Sequence, residues 1–416
     1  MTYGSPTLRF THRTARVTIV LTDYTEGLAS VRLTGLSTEG GNPAEITPYD
    51  KGSNTYTALV APQSVVAGTA FITCTFTNGK TFVYKMKNAT DWQAGGEYTY
   101  TVSLTAAKDP GYTIEGNGSY TVTSADGLMH VADLVNGGKT DINITLDKNI
   151  DLTGKGWTPI GTSFDNSYKG TFDGGGHTIT GLAVTTNDQF VGLFGYLNRA
   201  GTVKNVVMEG IQITSNHGSS QAGGVVGFSR GTIENCSVSG SVSGTVYVGG
   251  VVGAQWGGSI TGCSSSATVK GTVDVGGVAG QTDFGATLTA CYATGNVTIE
   301  IDPIKDIAGG GLVGLNGECS LLACYAIGNV TSTGSGTGKV DIGGFLGENN
   351  SFVTACYWKN NHEQGIGYNK KSTEATKVDG TGVTWQNAVD AMNTALTAGD
   401  YQWALGTDGL PVLQKK

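Results

Sequence analysis

The sequence has little proline, no long apolar run and no cluster of basic side chains. It contains 8 Pro beside 66 Gly in 416 residues and has no strict Gly-x-y triplet, which excludes collagen and a Pro/Gly low-complexity chain. No stretch approaches the roughly 20 apolar residues that cross a bilayer, so we expect no transmembrane segment. The net charge is −8, and without a Lys/Arg cluster nucleic acid is not an expected partner.

Short motifs of hydrolytic and metal chemistry are also missing. The 5 His are scattered, and neither H-E-x-x-H nor G-x-S-x-G occurs. The 7 Cys form no C-x-x-C pair. We therefore expect no catalytic residue, no metal and no cofactor. Residues 1–6 lack the charged and apolar regions of a signal peptide, and we expect a mature or trimmed N-terminus.

What the sequence does contain is a Gly-rich tag that recurs six times. Its last glycine returns after 32, 26, 27, 34 and 33 residues. A period of this length marks a unit that cannot bury its apolar face alone and stacks on its neighbours. The copies are V-G-L-F-G at 191–195, G-G-V-V-G at 223–227 and 249–253, G-G-V-A-G at 276–280, G-G-L-V-G at 310–314 and G-G-F-L-G at 343–347.

A cysteine follows five of the six tags after nine to eleven residues, and Val206 takes its place in the first. Apolar or small residues lie two and six positions further on, an even spacing that keeps one face of a strand. We predict an inward-facing core ladder of unpaired thiols. An Ile, Leu or Val three residues before each Cys has odd spacing, which predicts a bulge or corner between them. The ladder consists of Cys236, Cys263, Cys291, Cys324 and Cys356.

The predicted fold class is all-β. Period-two alternation in residues 1–107 predicts an antiparallel β-sandwich with a hairpin turn at Asn78-Gly79. A right-handed parallel β-solenoid, or β-helix, follows. Ser124 and Thr384 precede segments of helical spacing and predict two short helices that plug its ends. The predicted regions are the sandwich at 1–107, a cap helix and first coils at 108–190, the solenoid at 191–370 and a C-terminal cap at 371–416.

These patterns resemble two known families. The tag with its I-x-x-C-x-V continuation, over about 190–360, resembles the GLUG repeat of bacterial surface proteins and some secreted proteases. Phe10-Thr11-His12, Val60–Gln63 and Ala94–Tyr100 resemble the C-terminal half of fimbrillin-like (Mfa-like) proteins of Bacteroidetes. The resemblances imply an exported protein of the cell surface or outer membrane, an adhesin or a fimbria-associated subunit, whose signal or lipid anchor is not in this chain.

One candidate binding site comes from the position after the cysteine. Tyr292, Tyr325 and Tyr357 occupy it in three consecutive repeats, and by alternation they would face outward. Stacked tyrosines offer apolar area and hydroxyls to the face of a sugar. The alternative is that these rings cover the strand surface or pack under a loop.

The predicted function is non-enzymatic cell adhesion. The solenoid face would bind host or microbial glycans or matrix proteins, and other fimbrial subunits are further expected partners. One alternative is a polysaccharide-processing β-helix enzyme, which needs clustered carboxylates. The acidic residues of the repeats, among them Asp274, Asp341 and Glu348, are expected to share no common repeat position. Another alternative is a passive structural spacer or pilus subunit.

Overall fold

The computed structural model describes residues 13–23, 25, 27–77, 81–105, 110–396 and 399–416. The predicted Asn78-Gly79 turn and the Phe10-Thr11-His12 segment lie outside these residues. The chain forms two compact units, Met1–Asp109 and Pro110–Lys416, and strands are numbered below in chain order.

The first unit is built from short strands around a core that includes Ile19, Phe71 and Trp92. β1 alternates buried and less buried residues along its length, which is the pattern of a sheet with one covered face. The order in the sheets is β3-β4-β1-β9, β2-β6-β7 and β5-β8. The strands are β1 (Ala15–Thr22), β2 (Leu28–Leu33), β3 (Tyr49–Asp50), β4 (Thr55–Val60), β5 (Gln63–Val65), β6 (Ala70–Phe76), β7 (Thr81–Lys85), β8 (Thr90–Trp92) and β9 (Glu97–Ser103), with a 3-10 turn at Glu39–Gly41.

Among the strands that the structure describes in this unit, the pairing is antiparallel except for one pair. β6 and β7 pair antiparallel on either side of the predicted turn, as a hairpin requires. β1 and β9 instead run parallel, with Arg16 beside Glu97 and Val20 beside Thr101. The antiparallel sandwich predicted for this region is therefore confirmed with one parallel strand pair added.

The second unit is a parallel β-solenoid with four sheets, named here sheets 1 to 4. Between residues 171 and 349 each turn of chain passes through sheets 1, 2, 3 and 4 in that order, and strands stack in parallel register along each sheet. Only the first pair of sheet 1 is antiparallel among the strands of these four sheets that the structure describes. The predicted parallel solenoid is confirmed.

The strands of sheet 1 are β10 (Tyr112–Ile114), β11 (Tyr120–Val122), β12 (Ile144–Leu146), β14 (Thr171–Asp173), β19 (Thr202–Lys204), β23 (Thr232–Glu234), β27 (Ser259–Thr261), β32 (Thr287–Thr289), β37 (Ser320–Leu322) and β42 (Val353–Thr354). Those of sheet 2 are β13 (Ile150–Asp151), β15 (Thr178–Thr180), β16 (Ala183–Thr186), β20 (Val207–Ser215), β24 (Ser237–Ser243), β28 (Ser264–Ser265), β29 (Thr268–Gly271), β33 (Tyr292–Ala293), β34 (Val297–Glu300), β38 (Tyr325–Ala326), β39 (Val330–Thr333), β43 (Tyr357–Trp358) and β45 (Thr376–Lys377).

The strands of sheet 3 are β17 (Phe190–Val191), β21 (Gln221–Gly223), β25 (Tyr247–Gly249), β30 (Asp274–Gly276), β35 (Ile307–Gly310) and β40 (Val340–Gly343). Those of sheet 4 are β18 (Phe194–Leu197), β22 (Val226–Ser229), β26 (Val252–Trp256), β31 (Ala279–Asp283), β36 (Val313–Asn316), β41 (Leu346–Asn349) and β44 (Ile366–Asn369). The tag forms the turn from sheet 3 to sheet 4.

The tag needs glycine because successive turns touch through their backbones. A Cβ added at Gly224 would clash with the carbonyl oxygen of Gly250, and one at Gly250 would clash with that of Gly277. The same contact continues through Gly311 to Gly344. The period of the tag in the sequence therefore corresponds to one close backbone approach per turn of the coil.

The corner predicted before each cysteine lies between sheets 1 and 2. The residue directly before each member of the cysteine column adopts a positive φ of 49–65°. The thiol then donates to the carbonyl oxygen two residues earlier, at 3.2 Å from Cys236 to Glu234 and 3.3 Å from Cys356 to Thr354. A small apolar residue with a weak donor suits this buried turn. The corner residues are Asn205, Asn235, Gly262, Ala290, Ala323 and Ala355.

Both predicted helices are present. α1 (Ala125–Asn136) begins after Ser124, whose side chain accepts from the Gly127 amide. α2 (Trp385–Ala395) begins after Thr384 with a reciprocal capping box to Asn387. α2 is followed by an antiparallel hairpin of β46 (Tyr401–Leu405) and β47 (Pro411–Lys415).

The C-terminal cap differs from the end plug that the sequence predicts. α2 and the β46–β47 hairpin, named here the strap, pack against the outer side of sheet 2, in a cluster that includes Tyr325, Tyr357, Met392 and Trp403. The contact reaches back several turns, because the Tyr401 hydroxyl lies 3.1 Å from Glu234 Oε1. The C-terminal segment therefore lies along the solenoid and covers part of one face.

Candidate functional site

The three predicted tyrosines do form a ladder on sheet 2. Tyr292 pairs in register with Tyr325, and Tyr325 pairs with Tyr357. The rings of Tyr292 and Tyr325 stack with centroids 5.0 Å apart and planes 10° from parallel. All three face away from the interior of the coil, since the cysteines beside them are in its core.

The strap covers this ladder, which corrects the predicted exposure of Tyr325 and Tyr357. Tyr325 is 2% exposed and Tyr357 8% exposed. The Tyr325 hydroxyl donates to the Pro411 carbonyl at 2.8 Å, and Trp403 Nε1 donates to the Ala323 carbonyl at 3.1 Å. Burial also raises the pKa of the Tyr325 hydroxyl. Of the three rings only Tyr292 remains half-buried, where it lines a cavity of about 370 Å³ beside the hairpin.

A second row of aromatic rings, in edge-to-face or tilted contact with one another, lies on the outer side of sheet 4 and its adjoining turns. Successive ring centroids are 5.8, 4.7, 5.0 and 5.0 Å apart. This set, named here the aromatic strip, consists of Phe164, Tyr196, Phe228, Trp256 and Phe284. Two flanking rings on sheet 3, Phe190 and Tyr247, pack against it.

No segment of the chain covers the ends of the strip among the residues that the structure describes. Phe164 and Phe284 are 61% and 62% exposed, whereas Tyr196 and Phe228 in the middle are 5% exposed. Phe284 also has a φ of 55°, which costs a residue with a bulky side chain about 1 kcal/mol. Strained backbone positions of this kind cluster at functional sites, so Phe284 is a candidate contact residue.

Two carboxylates lie on the outer side of sheet 3, further along the same face. Asp274 pairs with Ala308 and Ala308 with Asp341, so the two acids occupy one column two turns apart. Each lies six residues before the last glycine of its tag. The expectation that the acidic residues share no repeat position is therefore wrong for this pair.

The two acids have different surroundings although both are buried. Asp341 is 9% exposed and forms an ion pair with Lys339 at 2.7 Å, and the same ammonium lies 3.4 Å from Glu348 and 3.5 Å from the centre of the Tyr368 ring. These carboxylates raise the pKa of Lys339. Asp274 is 5% exposed, and burial together with the charge of Glu348 raises the pKa of its carboxyl well above 3.8.

The cysteine ladder lies in the core and forms no disulfide. Cys236, Cys263, Cys291, Cys324 and Cys356 are each at most 1% exposed. Burial raises the pKa of Cys236, Cys263 and Cys324, and that of Cys319 to about 12. Such thiols are poor nucleophiles. Within the described ranges no group of three or more His, Cys, Asp or Glu side chains is arranged to hold a metal ion.

The fold and these surfaces define an all-β protein in which an antiparallel β domain precedes a β-solenoid. Residues 2–124 match the family model described as fimbrillin-like, and residues 218–243 and 244–270 each match the GLUG motif. The chain therefore contains a fimbrillin-like N-terminal region and GLUG motifs, as the sequence predicts.

Individual relatives match only parts of the chain. Halomucin of Haloquadratum walsbyi is 41% identical over 101 residues, 24% of this chain and 1% of that protein. A protein of Evansella cellulosilytica named "Putative Gly-rich membrane protein" is 35% identical over 97 residues, 23% of this chain and 11% of that protein. The chain thus spans a small part of the length of both curated relatives.

A solved structure has a similar fold. The crystal structure of a "putative immunoglobulin A1 protease" from Bacteroides ovatus matches with a TM-score of 0.57 and 18% identity, over 72% of this chain and 93% of that one. At this identity the likeness shows the fold alone. In the part of the chain described here, neither helix is long and apolar enough to cross a membrane. The family matches and the curated relatives fit a surface structural or adhesin-like protein.

Proposed function

We propose that this chain is part of an exported cell-surface adhesin whose solenoid binds glycans through the aromatic strip. The observation that carries the proposal is a row of rings, one turn of the coil apart, whose terminal members Phe164 and Phe284 are 61% and 62% exposed. Aromatic rings present flat apolar faces, and Tyr and Trp add polar atoms. An extended chain of sugar residues lying along the coil would contact Phe164 at one end of the strip and Phe284 with the half-buried Trp256 at the other.

This proposal moves the ligand site from the tyrosine ladder to sheet 4. The proposed site is again a row of aromatic rings, but on another sheet, because the strap occupies the face of Tyr325 and Tyr357. The fimbrillin-like match and the surface or membrane names of the relatives support export to the cell surface. Matrix proteins and other fimbrial subunits remain further proposed partners.

We propose that the strip binds its ligand without chemical change. Carboxylate-based glycoside hydrolysis needs one acid able to donate a proton and one free carboxylate across the scissile bond. Lys339 pairs with both Asp341 and Glu348, so among the acids named on this face only Asp283, which accepts from the Phe284 amide, would be left to act with Asp274. A polysaccharide-processing enzyme is therefore the second candidate, and release of product from a bound polysaccharide would favour it.

The test is binding of the full chain to an array of host and microbial glycans and matrix proteins. The test variant is Phe164→Ser with Phe284→Gly. The control is Phe352→Ser, because Phe352 is 60% exposed but lies outside the strip. Binding that is lost in the double variant and kept in the control supports the proposal. Equal binding by all three proteins would place the ligand elsewhere, and no binding by any of them would favour the spacer or pilus subunit.

A further inference from the structure

Two acids in the same column of sheet 3 differ in one respect that suggests a ligand. Asp341 has an ammonium group from Lys339 at 2.7 Å, and that ammonium also lies over the ring of Tyr368. Asp274 lies two turns away at the same repeat position. No hydrogen bond or ion pair reaches its carboxyl group from any residue that the structure describes. The column therefore contains one carboxylate with a cation and an aromatic ring, and one without a cation.

One aromatic ring, that of Tyr247, adjoins Asp274 as well. Tyr247 is its register neighbour on sheet 3, and the charge of Asp274 contributes to the raised pKa of the Tyr247 hydroxyl. On the adjacent strand of sheet 4, Gln281 accepts a hydrogen bond of 2.7 Å from Trp256 Nε1. The Trp256 ring is a member of the aromatic strip and contacts Phe284 at 5.0 Å. Asp274 thus lies between the aromatic strip and Asp341, the other acid of its column.

A buried carboxyl group without a partner is costly to a fold. Its usual complement is an ammonium or guanidinium group, and an ammonium also binds well against aromatic rings. Lys339, Asp341 and Tyr368 show this combination within the chain itself. This face has the acids Asp283, Asp341 and Glu348 beside the cation Lys339, and Arg230 lies near the Tyr196 ring. The charge of Glu348 acts on Asp274, so the field near Asp274 favours a cation.

We propose that Asp274 binds the ammonium group of an amino sugar within a glycan that lies on the aromatic strip. This inference rests on the proposed function, since the strip provides the contact for the sugar rings. It adds that the preferred glycan carries free amines instead of acetylated ones. Acetylation removes the positive charge and adds bulk, so the Asp274 contact would be lost while ring stacking on the strip would remain.

The experiment compares two probes of equal length, a hexamer of glucosamine and a hexamer of N-acetylglucosamine, by calorimetry with the full chain. At a pH where the amines are protonated, we expect the glucosamine hexamer to bind about tenfold more tightly, the size of one charge-assisted contact. The test variant is Asp274→Asn. The control is Glu318→Gln, which removes the same charge from an exposed position of the same solenoid.

Loss of the preference in Asp274→Asn, with binding of the acetylated hexamer retained and the preference intact in Glu318→Gln, supports the inference. Equal binding of both hexamers by the unaltered protein overturns it and leaves the proposed function standing, provided that the Phe164/Phe284 variant loses both. A preference that survives in Asp274→Asn also overturns it. If neither hexamer binds but a hexalysine peptide binds in an Asp274-dependent manner, the ligand is a basic peptide and the sugar assignment is wrong.

Discussion

The solenoid has two ladders of aromatic rings in mutual contact, one on sheet 2 and one on sheet 4, and they differ in what covers them. Tyr292 and Tyr325 stack with centroids 5.0 Å apart, and Tyr196 and Phe228 lie 4.7 Å apart with their planes tilted by 35°. The first ladder is covered by α2 and the hairpin, whereas the second ends in two rings that are more than 60% exposed. The spacing of the rings is set by the rise of the coil from turn to turn. Their exposure depends on whether the strap, which is distant in sequence, packs on them.

The comparison separates two uses of the same geometry. Where a ladder is covered, its rings bury apolar area and support the fold, at about 25 cal/mol per Å². Where it is open, at Phe164 and Phe284, the rings add little to stability and keep their faces available. Substitutions in the covered ladder should therefore lower the free energy of unfolding, whereas substitutions of the exposed rings in the open ladder should weaken ligand binding.

The largest effect is expected from Tyr325→Ala. It removes a ring that is 2% exposed and leaves the Pro411 carbonyl without its donor, so the free energy of unfolding should fall by about 3–5 kcal/mol. Urea unfolding of the full chain, followed by circular dichroism, measures it. Phe284→Ala is the matched change in the open ladder and should lower stability by less than about 0.5 kcal/mol. Equal losses in both variants would contradict the comparison.

A smaller loss is expected from Trp403→Phe. The substitution keeps an aromatic ring near Tyr292 and Tyr325 but removes the hydrogen bond from Nε1 to the buried Ala323 carbonyl. An acceptor left unpaired in the interior costs about 1–3 kcal/mol. The same unfolding assay measures this loss, and unchanged stability would show that the strap is held by ring contacts alone.

Asp274→Asn should change stability in the opposite direction, by about 1–2 kcal/mol. The folded state raises the pKa of this carboxyl above 3.8, so it binds the proton more tightly than the unfolded chain does. The resulting cost is absent below pH 3.8 and grows as pH rises through the raised value. The variant should therefore be more stable than the unaltered protein at pH about 8 and equally stable at pH about 3. A gain that does not depend on pH would contradict this assignment.

The smallest change in stability is expected from Phe284→Gly. Glycine relieves the positive φ of 55° but adds entropy to the unfolded chain, and the two effects nearly cancel, within about 0.5 kcal/mol. Binding of a glycan ligand should nonetheless weaken about three- to tenfold, because one exposed ring contact is worth about 0.5–1.5 kcal/mol. Calorimetry and urea unfolding on the same sample separate the two. Weakened binding with an equal loss of stability would assign Phe284 to the fold.

Features that repeat along the chain were predictable from the sequence. The tag glycines predict the solenoid because each turn repeats the same backbone contact, for example between Gly224 and Gly250. The odd spacing from Ile233 to Cys236 predicts a corner, and the positive φ of Asn235 confirms it. The two helices begin at the predicted capping residues, Ser124 and Thr384. In each case the signal lies within a few residues or returns with the period.

Features that depend on non-local contacts were not predictable in this way. Tyr325 is covered by Pro411, 86 residues further along the chain, and Glu234 contacts Tyr401, 167 residues away. The strip does not show as a repeat in the sequence, because its position is occupied by Ala254 in the third turn, where the Trp256 ring contacts Phe228 instead. The shared position of Asp274 and Asp341 does follow from the sequence, since each lies six residues before the last glycine of its tag.

The strap has a further consequence for how the rod responds to pulling. A plain stack of coils loses its end turns one at a time, since each turn touches only its neighbours. Here the segment that follows the last coil runs back to Glu234, and its contacts extend from there to Tyr357. A tensile load on the C-terminus would therefore be shared by several turns. The last turns of the solenoid would unfold only after the strap had detached from sheet 2.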